Sequence, residues 1–199
     1  MEDIIMYRDD VGACFGLSKW SWFNPPKLWE PEGDGLVVEA ASDSDFWVTT
    51  YYGFVRDTGH ALLRRVPADF SMSTTFRGDY REQYDQAGLL LRLDGQNWIK
   101  TGIEYVDGRQ YISAVVTRDV SDWSVVPLEK SRAADEVSVK MRRAGDTVTI
   151  SYGFGEDEPE MLLRLAYFPQ GVDADAGIMC AAPQGKGFKT RFTSLKLHQ

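Results

Sequence analysis

The chain has 199 residues, of which 43% are hydrophobic and 26% are charged, and its formal net charge is −8. This composition is typical of a globular protein, and we predict a single domain over residues 1–199. The negative charge argues against a nucleic-acid or anionic-membrane partner, because both attract clustered Lys and Arg. The acidic start Met1-Glu2-Asp3 and the absence of a long apolar run predict a cytoplasmic protein without a signal peptide or membrane span.

The cysteine and histidine content predicts neither a metal site nor a cofactor. Cys14 and Cys180 lie near opposite ends of the chain, and two buried thiols are favoured over a disulfide. His60 and His198 with two distant cysteines do not have the spacing of a zinc site. The chain also lacks a glycine-rich phosphate loop and a G-x-S-x-G nucleophile elbow.

Short β-rich runs alternate with turn residues in the first part of the chain. Residues 1–24 are predicted to be irregular, and the predicted strands that follow are 36–40, 46–52, 61–66 and 69–76. In the run 69–76, apolar Phe70, Met72 and Phe76 alternate with polar residues, which is typical of a half-buried strand.

The centre of the chain, residues 84–127, is predicted to hold three consecutive strands. They are 85–93, 98–106 and 110–118, and the turns Asp94-Gly95 and Asp107-Gly108 favour tight hairpins because Asp and Gly tolerate left-handed backbone geometry. Residues 121–124 are predicted to form a loop that exposes Trp123. The whole stretch therefore predicts an antiparallel meander in the middle of a sheet.

The C-terminal part continues the β pattern. The predicted strands are 137–143, 147–152, 177–182 and 187–197, and residues 129–135 are predicted to form one helical turn. Residues 161–168 are predicted to be irregular or helical, with a strand as the alternative. Because no helix of a dozen residues is predicted, the fold class is all-β, an antiparallel two-sheet β-sandwich or jelly roll.

The second strand of the meander has an unusual polar face. Ile99 and Ile103 point to one side, as expected of a core face, and the other side carries Trp98, Lys100 and Glu104. One interpretation is a solvated outer face with a ladder of opposite charges. The other is a shallow polar groove with an aromatic platform, which suits a sugar.

Ten residues are candidate ligand contacts on this second interpretation. They are Trp47, His60, Tyr84, Gln86, Trp98, Lys100, Glu104, Thr117, Trp123 and Arg142. The best candidates for a catalytic acid or base are Glu104 and Asp85, which lie on neighbouring predicted strands. A retaining glycosidase needs two carboxyls about 5–5.5 Å apart, and no Glu-x-Glu or Glu-x-Asp pair lies on the polar face, so the catalytic residues stay unknown.

The order of several short motifs resembles a known family. The motifs are 45–47 (DFW), 84–89 (YDQAGL), 97–100 (NWIK), 102–104 (GIE), 116–118 (VTR), 121–124 (SDWS), 142–143 (RR) and 145–146 (GD). They resemble the domain-of-unknown-function 1349 family (regulation-of-enolase-like), a branch of the concanavalin A-like lectin/glucanase superfamily. The resemblance covers nearly the whole chain, from about Trp20 to Leu197.

This resemblance implies a concanavalin A-like jelly roll with a concave binding face. It also implies similarity to accessory domains attached to some β-xylosidases. It brings no established catalytic residues, and the Glu-x-Asp-x-x-Glu motif of the glucanase branch is absent from the chain.

Three functional hypotheses remain open from the sequence. The favoured one is binding of a small saccharide or sugar-derived metabolite on the concave sheet. The alternatives are an enzyme acting on a sugar derivative, with Glu104 or Asp85 as acid or base, and a regulatory protein that binds a metabolic enzyme.

Overall fold

The computed structural model describes residues 20–155 and 157–199, which form sixteen strands and one short 3₁₀ helix, Lys130–Arg132. In chain order the strands are β1 (Ser21–Phe23), β2 (Leu28–Glu32), β3 (Gly35–Ala40), β4 (Phe46–Val48), β5 (Val55–Asp57), β6 (His60–Val66), β7 (Phe70–Gly78), β8 (Gln86–Arg92), β9 (Asn97–Val106), β10 (Arg109–Arg118), β11 (Val120–Pro127), β12 (Val137–Ala144), β13 (Thr147–Phe154), β14 (Met161–Tyr167), β15 (Ala174–Ala181) and β16 (Phe188–His198).

Two seven-stranded antiparallel sheets and one small hairpin contain all of these strands. The first sheet has the order β1-β6-β15-β8-β9-β10-β11, and the second has the order β14-β13-β12-β7-β16-β3-β2. The hairpin pairs β4 with β5. The predicted all-β, antiparallel two-sheet β-sandwich is therefore confirmed.

Alternating side chains build the main core between the two sheets. Ile99 and Ile103 of β9 contribute from the first sheet, and Val139 and Met141 of β12 contribute from the second. All four side chains are buried, as the period-2 pattern of their strands predicts. Cys180 of β15 lies in the same core, whereas its possible partner Cys14 lies outside the described residues.

The predicted central meander is present, with β8, β9 and β10 paired in sequence. The turn at Asp107 and Gly108 has two residues of positive φ, 49° and 76°, which is the geometry of a type I′ hairpin turn. The turn after β8 is longer, because an Asp94 carboxylate oxygen accepts the backbone N–H groups of Gln96 and Asn97, each at 2.8 Å.

Two local predictions are wrong, and at a third place the alternative prediction is confirmed. The run 46–52 is a strand only to Val48, because Thr49 and Tyr51 adopt φ values of 60° and 64° and turn the chain. Residues 121–124 belong to β11, which pairs with β10, so Trp123 lies on a strand and not in a loop. Residues 161–167 form the edge strand β14, which was the alternative to a helical or irregular segment, because they pair with β13.

A candidate ligand pocket on the first sheet

The β4–β5 hairpin covers part of the outer face of the first sheet, the face turned away from the second sheet. A second apolar cluster lies beneath it and includes Phe46 of β4, Leu90 of β8 and Trp98 of β9. The rings of Phe46 and Trp98 are 6.1 Å apart. Burial of these side chains holds the hairpin on the sheet, and the hairpin in turn shelters the strand positions beside it.

The centre of this face has a gap in its side chains. Three cross-strand pairs follow one another along β8 and β9, and they are Gln86 with Glu104, Gly88 with Gly102, and Leu90 with Lys100. A Cβ atom at Gly88 would lie 2.0 Å from the Thr101 carbonyl oxygen, and one at Gly102 would lie 1.9 Å from that of Ala87. The two strands approach too closely here for any side chain.

Lys100 reaches Gln86 across this glycine pair. Its ammonium donates to the Gln86 side-chain oxygen and, at 3.0 Å, to the carbonyl oxygen of Phe46 in the hairpin. An Asp45 carboxylate oxygen lies 3.9 Å from the ammonium and accepts the Gln86 amide at 3.3 Å. Lys100 is only 3% exposed, so its charge is compensated almost entirely inside the protein.

Glu104 lies beside this group in a second hydrogen-bond chain. The indole N–H of Trp123 donates to the Ser113 hydroxyl at 3.0 Å, and that hydroxyl donates to one Glu104 oxygen at 2.8 Å. Burial raises the pKa of Glu104, and the charge of Lys100 and the bond from Ser113 oppose the rise. The Glu104 side chain also lines the pocket, so a ligand there can contact its carboxylate.

Aromatic side chains form the wall of the site. The Tyr52 ring packs against Phe54 at 5.4 Å, and its hydroxyl is 2.7 Å from that of Tyr84. Tyr84 in turn makes an edge contact with Trp123 at 6.4 Å. Trp47 packs on Tyr52 at 5.6 Å. Burial and the bond to Tyr84 raise the pKa of Tyr52, so its phenol is neutral near pH 7.

Floor and wall enclose a cavity of about 270 Å³, slightly below the usual range for small-molecule sites, about 300–1,000 Å³. The residues of the floor are polar or charged, and they are Asp45, Gln86, Lys100 and Glu104. The residues of the wall are aromatic, and they are Trp47, Tyr52, Phe54, Tyr84 and Trp123. Arg56, Pro183 and Gln184 lie at the rim. The charged members are two carboxylates and two cations, so the site suits an uncharged polar ligand of one ring.

Six of the ten candidate contact residues line this pocket. They are Trp47, Tyr84, Gln86, Lys100, Glu104 and Trp123. Trp98 and Thr117 lie on the same face but outside the cavity lining. Trp98 is 1% exposed and packs beneath the hairpin, and the Thr117 hydroxyl bonds the Ser121 hydroxyl at 2.8 Å. The structure gives both residues a packing role.

Arg142 and His60 lie elsewhere, which corrects their predicted place in the groove. Arg142 is exposed on β12 of the second sheet. The polar sides of the two sheets face opposite ways, so Arg142 points away from the pocket on the first sheet. His60 accepts the Ala41 N–H at 3.1 Å through Nε2 and donates to the Asn24 carbonyl oxygen at 2.7 Å through Nδ1. Burial lowers the pKa of His60 and favours the neutral ring. The ring therefore connects the segments that contain Asn24 and Ala41 by hydrogen bonds.

Asp85 is also outside the pocket lining, so the structure does not join it with Glu104 there. One of its carboxylate oxygens accepts the backbone N–H groups of Arg81 and Glu82 at 2.8 and 3.0 Å. Burial raises the pKa of Asp85, and these two bonds oppose the rise. The carboxylates that line the cavity are Glu104 and Asp45.

Sequence reasoning missed Asp45, Tyr52, Phe54, Arg56, Pro183 and Gln184 as pocket residues. Asp45 is two residues from Trp47 and therefore lies on the same side of the strand, so the alternation of the sequence could have indicated it. Tyr52 and Phe54 reach the pocket only because the chain turns at Thr49. Pro183 and Gln184 follow β15, and a parallel bridge from Ser42 to Ala182 brings that connection beside the hairpin. Such long-range pairing leaves no local pattern.

Within residues 20–155 and 157–199, no group of three or more His, Cys, Asp or Glu side chains is arranged to hold a metal ion. No helix in the same part of the chain is long and apolar enough to cross a membrane.

Known proteins resemble this chain in sequence and fold. The family model described as "Protein of unknown function (DUF1349)" matches residues 22–199. Regulation of enolase protein 1 of Saccharomyces cerevisiae is 33% identical over 181 residues, which are 91% of this chain and 90% of that protein.

Two solved structures share the fold. The crystal structure of a functionally unknown protein from Saccharomyces cerevisiae has a TM-score of 0.84 and 32% identity, over 90% of this chain and 96% of that one. Xylan β-1,4-xylosidase from Bacillus halodurans has a TM-score of 0.65 and 12% identity, over 91% of this chain and 39% of the enzyme, a likeness of fold alone. The family match spans most of the chain, and the protein belongs to the DUF1349 family.

Proposed function

We propose that this protein binds a small saccharide or sugar-derived metabolite in the pocket on the first sheet. One observation carries the proposal: a buried floor of Lys100, Gln86 and Glu104 lies under a wall of five aromatic side chains. Sugars present hydroxyl groups on their edges and C–H groups on their faces. A polar floor beside aromatic rings matches both parts of such a ligand.

The hydrogen-bonding capacity of the floor supports the same proposal. The Lys100 ammonium uses two of its three donors on Gln86 and Phe46. The Glu104 carboxylate accepts the Ser113 hydroxyl with one oxygen, and its oxygens have further lone pairs that can accept hydrogen bonds. Lys100 therefore offers a donor and Glu104 offers an acceptor to a ligand in the pocket, and sugar hydroxyls can bond to both.

The names of two similar proteins point to different kinds of partner. The xylosidase that shares the fold is named for an action on xylan, a sugar polymer. Regulation of enolase protein 1 is named for an enzyme and not for a ligand. The proposal of carbohydrate binding by this chain therefore rests on the residues that line the pocket.

Thermal shift and isothermal titration calorimetry with D-xylose, L-arabinose, D-glucose, D-galactose and their phosphates test the proposal. We expect at least one to raise the melting temperature and bind with measurable heat. Trp123→Ala removes a wall ring and is expected to weaken that binding about tenfold. Arg142→Ala, exposed on the second sheet, is the matched control. No binding at high millimolar sugar, or equal weakening by both variants, contradicts the proposal.

A second candidate function is the binding of a protein partner. Leu162 and Leu165 of the edge strand β14 are 67% and 64% exposed, and Val120 of the edge strand β11 is 51% exposed. Apolar side chains on unpaired sheet edges favour association. The name of the yeast relative points to enolase as the protein to test. Complex formation with purified enolase, measured by size-exclusion chromatography and lost in Leu162→Glu, would support it, and separate elution would contradict it.

A further inference from the structure

A second, more open hollow adjoins the pocket. It has a volume of about 580 Å³ and lies between the turn after β4 and the start of β11. Its lining residues are mostly apolar or aromatic, and they are Trp47, Thr50, Tyr51, Tyr52, Val120, Ser121, Asp122 and Trp123. Three of them, Trp47, Tyr52 and Trp123, also line the pocket. A ligand that fills the pocket and extends past this shared wall therefore enters the second hollow.

Tyr51 is the most unusual residue of the second hollow. It is 94% exposed, although a tyrosine ring normally gains stability from burial. Its φ of 64° lies in the left-handed region, and so does the φ of 60° at Thr49 two residues earlier. Such conformations are unfavourable for residues with a Cβ, and for a β-branched residue above all. They persist where the surrounding structure enforces them.

The surrounding structure does brace this turn. The Trp47 indole donates to the Thr50 carbonyl oxygen at 2.8 Å, and the Gly53 N–H donates to that of Thr49 at 2.7 Å. The Tyr51 ring stands at 89° to the Tyr52 ring, with centroids 5.0 Å apart. The turn thus holds an aromatic ring in solvent, in contact with Tyr52 of the pocket wall.

We infer that Tyr51 and Trp123 form a second subsite, so the ligand is a short oligosaccharide whose terminal ring occupies the pocket. This inference rests on the proposed function of the pocket. The pocket has room for one ring, and the adjoining hollow presents aromatic faces against which the next ring packs. Because the second hollow is open and mainly apolar, it contributes affinity through stacking and not through buried hydrogen bonds.

Calorimetry with matched sugars tests the second subsite. D-Xylose, D-glucose and D-galactose are each titrated against the wild type and compared with the β-1,4-linked disaccharide and trisaccharide of the same sugar. We expect the disaccharide of the bound series to bind about three- to tenfold more tightly than its monosaccharide, the gain from one aromatic contact. We expect the trisaccharide to add little, because the second hollow seats a single further ring.

Variants of Tyr51 identify the source of the gain. Tyr51→Ala is expected to abolish the difference between disaccharide and monosaccharide and to leave monosaccharide affinity unchanged, whereas Tyr51→Phe keeps the ring and the gain. Tyr167→Ala removes an exposed ring from β14 and is the remote control. Since Tyr51 is almost fully exposed, its loss leaves the fold intact.

The possible results of these titrations separate failure of the second subsite from failure of the proposed function. A monosaccharide that binds as tightly as its disaccharide, or a disaccharide gain that survives Tyr51→Ala, overturns the second subsite and leaves the proposed function standing. If no monosaccharide, sugar phosphate or oligosaccharide binds, the proposed function fails and the second subsite fails with it.

Discussion

The outer faces of the two sheets each carry a lysine in the middle of a strand, but the two lysines have different surroundings. Lys100 of β9 and Lys140 of β12 both lie mid-strand on polar sides. The Lys100 side chain is 4% exposed and bonds to Phe46 and Gln86, whereas the Lys140 side chain is 24% exposed and pairs with the surface carboxylate of Glu158. The difference is the β4–β5 hairpin, which covers one face only. Polarity along a strand therefore does not by itself distinguish a binding site from a solvated surface.

The largest expected effect concerns the glycine pair that opens the floor of the first sheet. Gly102→Ala puts a Cβ 1.9 Å from the Ala87 carbonyl oxygen and 2.7 Å from the Gly88 Cα, backbone atoms that cannot rotate away. We expect the free energy of unfolding to fall by about 3 kcal/mol or more in urea titrations.

Gly145→Ala in the turn before β13 is the control for this glycine. Gly145 has a φ of 62°, and a Cβ added there would meet no atom within 4 Å, so we expect only the backbone strain of about 1 kcal/mol. Equal losses for the two variants would contradict the close approach of β8 and β9.

The two lysines give the next largest expected difference. Lys100→Met leaves the Phe46 carbonyl oxygen, the Gln86 amide oxygen and the Asp45 carboxylate without their cation. We expect a loss of about 2–3 kcal/mol in the free energy of unfolding, the cost of unpaired buried polar groups. Lys140→Met removes a surface ion pair and is expected to cost about 0.5 kcal/mol or less. A small effect at Lys100 would show that the outer face of the first sheet is as solvated as that of the second sheet.

The smallest expected effect is a pH dependence of opposite sign at two carboxyls. Burial raises the pKa of Glu104, so the folded protein holds this proton more tightly than the unfolded chain. The resulting stability is complete below the unfolded pKa, about 4.3, and is lost as pH rises through the folded pKa. Glu104→Gln removes this loss, so its stability relative to the wild type should increase with pH across this window.

Glu158 reverses the sign. Its hydrogen bond with Lys140 lowers the pKa of this exposed carboxyl, so its stabilisation is present above the unfolded pKa and is lost as pH falls through the folded pKa. Glu158→Gln should therefore lose stability relative to the wild type as pH rises. Urea unfolding between about pH 3 and pH 8, a range that brackets the usual glutamate pKa, measures both slopes, and slopes of equal sign would refute the contrast.

The local pattern of the sequence determined the fold class and much of the site. Alternation in β9 separated Ile99 and Ile103 from Lys100 and Glu104, and Asp107-Gly108 marked a hairpin, because side-chain direction and turn geometry depend on neighbouring residues. The same alternation placed Arg142 correctly on the outer side of its strand. It could not show that this side belongs to the second sheet.

Only the tertiary structure decided which polar face is sheltered and what encloses it. The hairpin over the first sheet, the turn that carries Tyr51 and Tyr52, and the approach of Pro183 and Gln184 all depend on contacts between residues far apart in the chain. Even the strand β14 forms against its local preference, because pairing with β13 satisfies its backbone. Strand periodicity is a local property, whereas the enclosure of a site is a property of the packed whole.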